Sequence, residues 1–227
     1  MSAPLRLVIF DVDGTLVDSQ SDIVAAMTLA YEAVGEPVPP RADILGVVGL
    51  SLDVIFPLLM PDMSPQGHHK MCEAYKTAYM DMRARAGVQQ SSPLYPGAIE
   101  VLQSLQAAPE VLLGVATGKS KRGIDKLIEG HGLEGLFVTQ QVADFHPSKP
   151  HPSMIFQAMA DAGVEAEQTV MVGDTSFDMD MAAAAGVRGI GVSWGYHGAG
   201  RLTSASVLID DFAGLLPVLN EMWKVSA

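Results

Sequence analysis

Cysteine, aromatic residues and positive charge are all scarce in this 227-residue chain. Cys72 is the single cysteine, and 6% of the residues are aromatic. One cysteine cannot form an internal disulfide, which favours a cytoplasmic location. The chain has 14 Lys and Arg against 26 Asp and Glu. Because nucleic-acid binding needs clustered cations facing phosphates, this charge balance predicts no nucleic-acid partner.

Long hydrophobic runs are missing as well. No stretch approaches the roughly 20 consecutive apolar residues that a membrane-spanning helix requires. The N-terminal segment has one Arg and a short apolar run before Asp11, which does not match a signal peptide. We therefore expect no membrane partner. Since 48% of the residues are hydrophobic, the chain has ample apolar surface for a core and is expected to fold.

Short apolar runs rich in β-forming residues recur along most of the chain and predict buried strands. They cover residues 5–10, 111–116, 137–142, 169–172, 189–193 and 207–209. Helical periodicity appears between them, at 99–107, 123–129, 153–162 and 179–185. Strands alternating with helices of this length predict βαβ units and an α/β fold with a Rossmann-like parallel sheet.

The segment 17–90 departs from this alternation because it has helical periodicity and no convincing strand. Helices are predicted at 23–33, 42–48, 52–60 and 70–85, with prolines at the joints between them. We therefore expect two domains. Residues 1–16 and 91–227 would form an α/β core domain, and residues 17–90 would form a helical domain inserted after the first strand.

Two pairs of acidic residues follow predicted strands. Asp11 and Asp13 come directly after the first strand in the motif DVDGT, and Asp174 and Asp178 follow the strand at 169–172. Each pair alone would also fit an ordinary strand end or a helix N-terminus. Because the carboxyl ends of parallel strands meet at one edge of the sheet, however, the four carboxylates are expected to converge there. Oxygen ligands of this kind suit Mg²⁺.

Two further segments offer groups that bind anions. Thr117 and Gly118 directly follow the predicted strand at 111–116 and precede a helix. A turn of this kind presents free backbone N–H groups. Lys149 is a lone cation in a proline-rich loop. Taken singly, each would also fit an ordinary connection. Lys119 and the basic residues after it are interpreted as a solvated helix face.

Taken together and in this order, the four motifs resemble those of the haloacid dehalogenase-like hydrolase superfamily. The resemblance covers essentially the whole chain. It points most to the phosphatase branch with an inserted helical cap, in which phosphoglycolate phosphatases are found. It implies a Mg²⁺-dependent phosphatase that hydrolyses a small phosphorylated metabolite through an aspartyl-phosphate intermediate. The enzyme is expected to be a monomer or a homodimer.

The resemblance implies a role for each acidic residue. Asp11 would be the nucleophile. Asp13 would protonate the leaving oxygen and then activate water for the second step. Mg²⁺ would be held by the carboxylates of Asp11 and Asp174 and by the backbone carbonyl of Asp13. Asp178 would either bind the ion directly or support one of its ligands.

The resemblance also assigns the phosphate-binding groups. Thr117, the backbone N–H of Gly118 and Lys149 would bind the phosphoryl group together with the nucleophile. Lys149 and the metal would keep Asp11 ionised. Asp13, expected to lie away from both cations, would be the carboxyl that carries a proton.

The loop at 46–51 matches the glycine-bearing cap loop that faces the site in such enzymes. Gly46, Gly49 and Ser51 are therefore expected to contact the leaving group of the substrate. The loop has no cation, which suits the carboxylate of phosphoglycolate poorly. A less charged small organic phosphate is an equal alternative.

Other activities on the same fold stay open. A sugar phosphomutase of the superfamily would share every core motif, and a non-catalytic phosphate-binding protein would share the fold. The presence of Asp13 together with a metal-binding set argues against dehalogenation. No Lys or Arg lies between Arg41 and Lys70, which argues against a phosphonate-cleaving lysine in this part of the chain.

Overall fold

A six-stranded parallel sheet forms the centre of the protein in the computed structural model, which describes residues 4–224. The order of the strands is β3-β2-β1-β4-β5-β6, and each neighbouring pair is parallel. The strands are β1 (Arg6–Phe10), β2 (Val111–Thr117), β3 (Thr139–Val142), β4 (Thr169–Gly173), β5 (Arg188–Val192) and β6 (Val207–Ile209). The predicted α/β class and parallel sheet are confirmed.

Ten α-helices are found within the described residues. They are α1 (Gln20–Val34), α2 (Arg41–Leu45), α3 (Leu52–Leu59), α4 (Pro65–Ala86), α5 (Val88–Ser91), α6 (Ala98–Gln106), α7 (Lys121–His131), α8 (Ser153–Ala162), α9 (Ser176–Ala185) and α10 (Leu215–Lys224). No helix among residues 4–224 is long and apolar enough to cross a membrane.

The central strand β1 is apolar from Leu7 to Phe10 because both of its faces are buried there. Val8 and Phe10 pack in one cluster with residues of α6, α7 and α10. Leu7 and Ile9, which point the other way, pack in a second cluster with residues of α8 and α9. The sheet therefore lies between two helical layers, as parallel sheets require.

Helices α1 to α5 form a separate block, here called the cap segment. α1 packs along α4, and the block has its own apolar cluster around Met27, Tyr31, Phe56 and Met71. The four helices predicted in this region are all present. α4 begins earlier than predicted because Ser64 caps it, accepting a hydrogen bond from the N–H of Gly67 at 3.2 Å.

The two connections between the cap segment and the sheet run side by side. Val17 and Leu94 form an antiparallel bridge. On either side of it, Asp18 N donates to Pro93 O and Tyr95 N donates to Leu16 O, each at 2.9 Å. The chain therefore leaves and re-enters the α/β part of the fold at one place, directly after β1.

Candidate active site

The carboxyl ends of β1, β2 and β4 meet where the chain reverses its direction across the sheet. The chain moves from β1 to β2 and β3 on one side, and returns to β4, β5 and β6 on the other. Ligands of doubly wound folds bind in the crevice that this reversal creates. Asp11 follows β1 and its N–H donates to Val172 O of β4 at 2.9 Å. Thr117 ends β2 and Asp174 follows β4.

Three carboxylates meet in this crevice beside one lysine. Asp11, Asp174 and Asp178 are buried, and each offers an oxygen within 4.8 Å of the others. Lys149 Nζ lies 2.6 Å from Asp11 Oδ1 and 2.6 Å from Asp178 Oδ1. Three negative charges and one positive charge leave two negative charges uncompensated. Asp11 Oδ2 is also buried without a hydrogen-bond partner. The set therefore fits a divalent cation with oxygen ligands.

The pKa values of these groups reflect the same excess of negative charge. Burial raises the pKa of Asp11 to about 7, and Lys149 opposes this rise only in part. Burial and the charge of Asp11 raise the pKa of Asp174 well above its ordinary value. Burial disfavours the charged form of Lys149, but Asp11 and Asp178 outweigh it and raise the pKa of Lys149. The lysine stays charged, and the carboxylates still lack countercharge.

Hydrogen bonds orient Asp174. Thr15 Oγ1 donates to Asp174 Oδ1 at 3.0 Å, and the backbone N–H of Tyr196 donates to Oδ2 at 2.7 Å. Gly14 makes the turn beneath this carboxylate with a φ of +88°, and a Cβ at position 14 would lie 2.2 Å from Asp174 Oδ2. Glycine is therefore needed in the DVDGT motif for both backbone conformation and space.

Asp178 is fixed by the start of its own helix. Thr175 caps α9, and its N–H and Oγ1 donate to Asp178 Oδ2 at 3.0 and 2.7 Å. Asp178 N donates back to Thr175 Oγ1 at 3.3 Å, and this reciprocal arrangement is a capping box. It leaves Oδ1 of Asp178 for Lys149. The helix start thus serves both as a cap and as part of the carboxylate cluster.

Asp13 is not a member of the three-carboxylate cluster and has a cation of its own. Lys119 Nζ lies 2.8 Å from Asp13 Oδ1, with only 9% of the Lys119 side chain exposed, and Ser19 Oγ donates to the same oxygen. Burial disfavours a charged Lys119, but Asp13 and Tyr79 raise its pKa. The interpretation of Lys119 as part of a solvated helix face was therefore wrong. The contact between Asp13 and Lys119 was not predicted.

The turn after β2 lies against the backbone of the cap segment. Thr117 is buried, and its Oγ1 accepts a hydrogen bond from Lys119 N at 3.2 Å. At Gly118, a Cβ would lie 2.7 Å from Gly49 O and 2.9 Å from Leu50 O. The absence of a side chain at position 118 therefore lets the 46–51 loop come down onto the strand end.

The 46–51 loop is held on the sheet side at both of its ends. Ser51 N donates to Ser148 Oγ at 2.9 Å, beside Lys149. His197 accepts the N–H of Ser176 at Nδ1 at 3.0 Å, so its Nε2 carries the hydrogen and donates to Gly46 O at 3.1 Å. Gly49 lines the cavity between the cap segment and the sheet. Of the three predicted loop residues, Gly46 and Ser51 anchor the loop and Gly49 faces the cavity.

Sequence reasoning missed the residues that act across long separations. Ser19 lies beside Asp13 and His197 lies beside the 46–51 loop, but no motif marks either residue. Tyr196 OH lies 3.0 Å from Ser19 Oγ, and 177 positions separate the two residues. The one sequence signal at such positions is a polar residue in the segment after a strand, as His197 follows β5.

Residues 8–192 match the family described as "Haloacid dehalogenase-like hydrolase". The chain belongs to this family. The matched region contains every site residue described above except Tyr196 and His197. The resemblance stated from the motifs is confirmed.

Curated relatives cover almost the full chain. "Probable phosphatase IndB" of Dickeya dadantii is 35% identical over 97% of this chain and 96% of its own length. A "Phosphoglycolate phosphatase" of Agrobacterium fabrum is 34% identical over 97% of this chain and 95% of its own length. Together with the family, these relatives confirm the prediction of a phosphatase that resembles phosphoglycolate phosphatases.

Solved structures of the family share the fold. A hydrolase from Pseudomonas syringae superposes with a TM-score of 0.83 at 24% identity, over 95% of this chain and 98% of its own. A β-phosphoglucomutase from Clostridium difficile superposes with a TM-score of 0.79 at 18% identity, over 98% of each chain. At these identities the superpositions establish the haloacid dehalogenase-like architecture and leave the activity to be argued from the site.

Proposed function

We propose that this member of the haloacid dehalogenase-like family is a Mg²⁺-dependent phosphomonoester hydrolase for a small organic phosphate. The observation that carries the proposal is the cluster of Asp11, Asp174 and Asp178 next to an open cavity. Lys149 compensates one of its three negative charges, and two remain without a cation. In this proposal residues 17–90 are the cap domain, and residues 1–16 and 91–227 are the core domain. The single cysteine supports a cytoplasmic location.

The carboxylates of Asp11, Asp174 and Asp178 and the backbone carbonyl of Asp13 are the proposed ligands of Mg²⁺. The buried oxygen of Asp11 that lacks a partner supports this assignment. When bound, the ion supplies the positive charge that keeps Asp11 ionised and offsets the charge of the phosphoryl group. Lys149, already shared between Asp11 and Asp178, adds to the same field.

The phosphoryl group is proposed to lie between Asp11 and the end of β2. The hydroxyl of Thr117 and the N–H of Gly118 donate to its oxygens, and Lys149 approaches from the side of Asp11. Phosphoryl transfer spreads charge over the equatorial oxygens, so fixed donors of this kind stabilise the transition state. They also hold phosphorus in line with the attacking oxygen.

The reaction is proposed to proceed in two displacements at phosphorus. Asp11 Oδ attacks, its bond to phosphorus forms as the bond to the ester oxygen breaks, and Asp13 gives that oxygen a proton. Water then attacks the aspartyl phosphate while Asp13 takes one of its protons, which releases inorganic phosphate and restores Asp11. The covalent intermediate divides one difficult hydrolysis into two easier steps.

Substitution of the nucleophile tests this proposal. Asp11→Asn is expected to abolish Mg²⁺-dependent hydrolysis of p-nitrophenyl phosphate, and borohydride reduction of the wild-type enzyme during turnover should yield homoserine at position 11. Asp180→Asn is the matched control, because Asp180 is exposed and its side chain accepts a hydrogen bond only from Ser204 among the described residues. Near-normal turnover by Asp11→Asn would disprove the mechanism.

A phosphomutase is the second candidate, since a β-phosphoglucomutase shares the fold. The two activities differ in the acceptor of the phosphoryl group, which is water in the hydrolase and a sugar hydroxyl in the mutase. A coupled assay on hexose 1-phosphates distinguishes them. Phosphate release without an isomeric product is expected, and formation of a hexose 6-phosphate would favour the mutase.

A further inference from the structure

The proposed catalytic groups open into a large cavity between the sheet and the cap segment. The cavity has a volume of about 720 Å³, and Asp11, Asp13, Thr117 and Gly118 lie at its sheet end. A cavity of this size is in the range that accommodates ligands with many more atoms than a two-carbon acid. The part beyond the phosphoryl position is where the leaving group of an ester would lie.

The cap wall of this cavity is mainly apolar. It is built by residues that the cap segment also uses for its own cluster: Ile23, Met27, Ile44, Val48, Leu50 and Ile55. The 46–51 loop, which carries no charge, closes the wall near the strand ends. Contact with such a wall stabilises apolar groups and penalises a carboxylate that has no partner there.

The two inner cations of the cavity, Lys119 and Arg83, differ in how far they are engaged within the protein. Lys119 is paired with Asp13 at 2.8 Å. Arg83 donates from Nη1 to Gly123 O at 3.1 Å and lies over the ring of Tyr79, and its Nε and Nη2 are buried without a hydrogen-bond partner. Lys76, Arg122 and Lys126 also line the cavity but are exposed. A short carboxylate next to the reacting phosphorus would therefore find Lys119 already paired and would have to reach the free donors of Arg83.

We propose that the preferred substrate is a phosphate ester whose leaving alcohol carries a ring-sized apolar group, rather than phosphoglycolate. The inference rests on the proposed hydrolase function and specifies its substrate class. The apolar group contacts Met27, Ile23 and Ile55, while the phosphoryl group lies at Asp11. Because removing each methylene from water is favourable, a ring-bearing ester is expected to gain more than about a tenfold advantage in kcat/KM over an ester whose alcohol has a single apolar carbon.

The test compares esters of primary alcohols, whose leaving oxygens are chemically alike. The probes are benzyl phosphate, cyclohexylmethyl phosphate, glycerol 1-phosphate and phosphoglycolate, each with Mg²⁺. We expect kcat/KM for the two ring-bearing esters to exceed that for phosphoglycolate by at least about tenfold. Equal or greater kcat/KM for phosphoglycolate overturns the inference.

Variants of the cavity wall separate cavity contact from general stability. Met27→Ala is expected to raise KM for benzyl phosphate about fivefold or more, with little change for phosphoglycolate. Phe56→Leu is the control, because Phe56 is buried in the same cluster but does not line the cavity. Thermal unfolding shows whether both variants are folded. An equal effect of Met27→Ala on both esters contradicts the assignment.

A variant of Arg83 tests the alternative that the cavity recognises an anionic leaving group. If phosphoglycolate is preferred and Arg83→Met removes the preference, Arg83 recognises an anionic leaving group and the inference is wrong. Failure of the proposed function looks different, because then none of the esters, nor p-nitrophenyl phosphate, is hydrolysed in a manner that depends on Asp11. The two failures are thus distinguishable in one set of assays.

Discussion

At the scale of single residues, Lys149 has the most demanding position in the molecule. Its side chain is fully buried and contacts the carboxylates of both Asp11 and Asp178. Buried charges are tolerated when they are paired, and removal of one partner leaves the other without compensation. Lys149 therefore contributes to stability as well as to the proposed binding of phosphate.

Lys149→Met is expected to lower the free energy of unfolding by about 3–5 kcal/mol in EDTA, because two buried carboxylates lose their shared cation. Added Mg²⁺ should restore part of the loss. Urea unfolding measures both effects. Lys76→Met is the control, since its pair with Glu73 is exposed and is expected to contribute little to the free energy of unfolding. Equal losses in the two variants would contradict the role assigned to Lys149.

Single residues were predictable where a strand end marked them. Asp11, Thr117 and Asp174 each follow an apolar run, and parallel strands bring their carboxyl ends together. Lys119 was misinterpreted because its neighbours in sequence are basic and belong to a helix face. Its actual partner, Asp13, is more than a hundred positions away, and the sequence does not show which cation of a cluster turns inward.

At the scale of structural elements, the turn after β2 and the 46–51 loop fit together through their backbones. Gly118 leaves room for Gly49 O and Leu50 O, which a Cβ would approach to 2.7 and 2.9 Å. Backbone atoms cannot move aside as a flexible side chain does. A side chain at position 118 therefore has to displace the loop from the site.

Gly118→Ala is expected to lower kcat/KM by about a hundredfold, the usual result of a displacement near 1 Å in an active site. Steady-state kinetics with p-nitrophenyl phosphate measures the change. Gly198→Ala is the control, because Gly198 has a φ of −60° and a Cβ added there would have no atom within 4 Å. Unchanged kinetics in Gly118→Ala would mean that the loop does not need this close approach.

His197 joins the same loop to the start of α9. Burial lowers the pKa of His197, so the unfolded chain binds a proton more readily than the folded chain. Stability from this group is present above its ordinary pKa and is lost as pH falls through it. We expect wild-type protein to lose stability from pH 7.5 to 5.5, and His197→Gln to lose less over that range.

Urea unfolding at several pH values tests the expectation for His197. His69→Gln is the control, because His69 is exposed on the cap segment. At pH 7.5, His197→Ala should itself cost about 1–3 kcal/mol, since Ser176 N–H and Gly46 O lose their buried partner. A pH slope equal to that of wild type in His197→Gln would assign the loss to other groups.

Helices and strands were predictable to the extent that their own residues determine them. β1 is apolar from Leu7 onward and β4 from Val170 onward, and both strands appear within two residues of the predicted bounds. α10 was not predicted, although Leu215, Leu219 and Trp223 lie four residues apart and are buried on the sheet. Pro217 near its start lowers the helix propensity of this segment, and the helix is stabilised by tertiary packing instead.

At the scale of the whole molecule, the carboxylate cluster couples stability to metal binding. A ligand that binds the folded chain at a hundred times its Kd adds about 2.7 kcal/mol. We expect Mg²⁺ to raise the Tm of the wild-type protein and EDTA to reverse the rise. Asp174→Asn should abolish the effect, and Asp180→Asn should retain it. A rise of the same size in both variants would place the ion elsewhere.

The architecture was predictable from the alternation of strands and helices, and from its interruption between residues 17 and 90. The dimensions of the space between sheet and cap segment were not. They depend on how α1 and α4 lie over the strand ends, and side-chain contacts between distant parts of the chain decide that placement. Substrate class therefore had to be argued from the structure.

The paired connections at Leu16–Asp18 and Pro93–Tyr95 have an evolutionary consequence. Because the two strands of the connection are hydrogen-bonded to each other, the whole cap segment occupies the position of a hairpin turn. An insertion of this kind can be shortened, enlarged or exchanged without altering the register of the sheet. Selection can thus rebuild the surface that meets the alcohol while the residues that handle phosphorus are inherited unchanged.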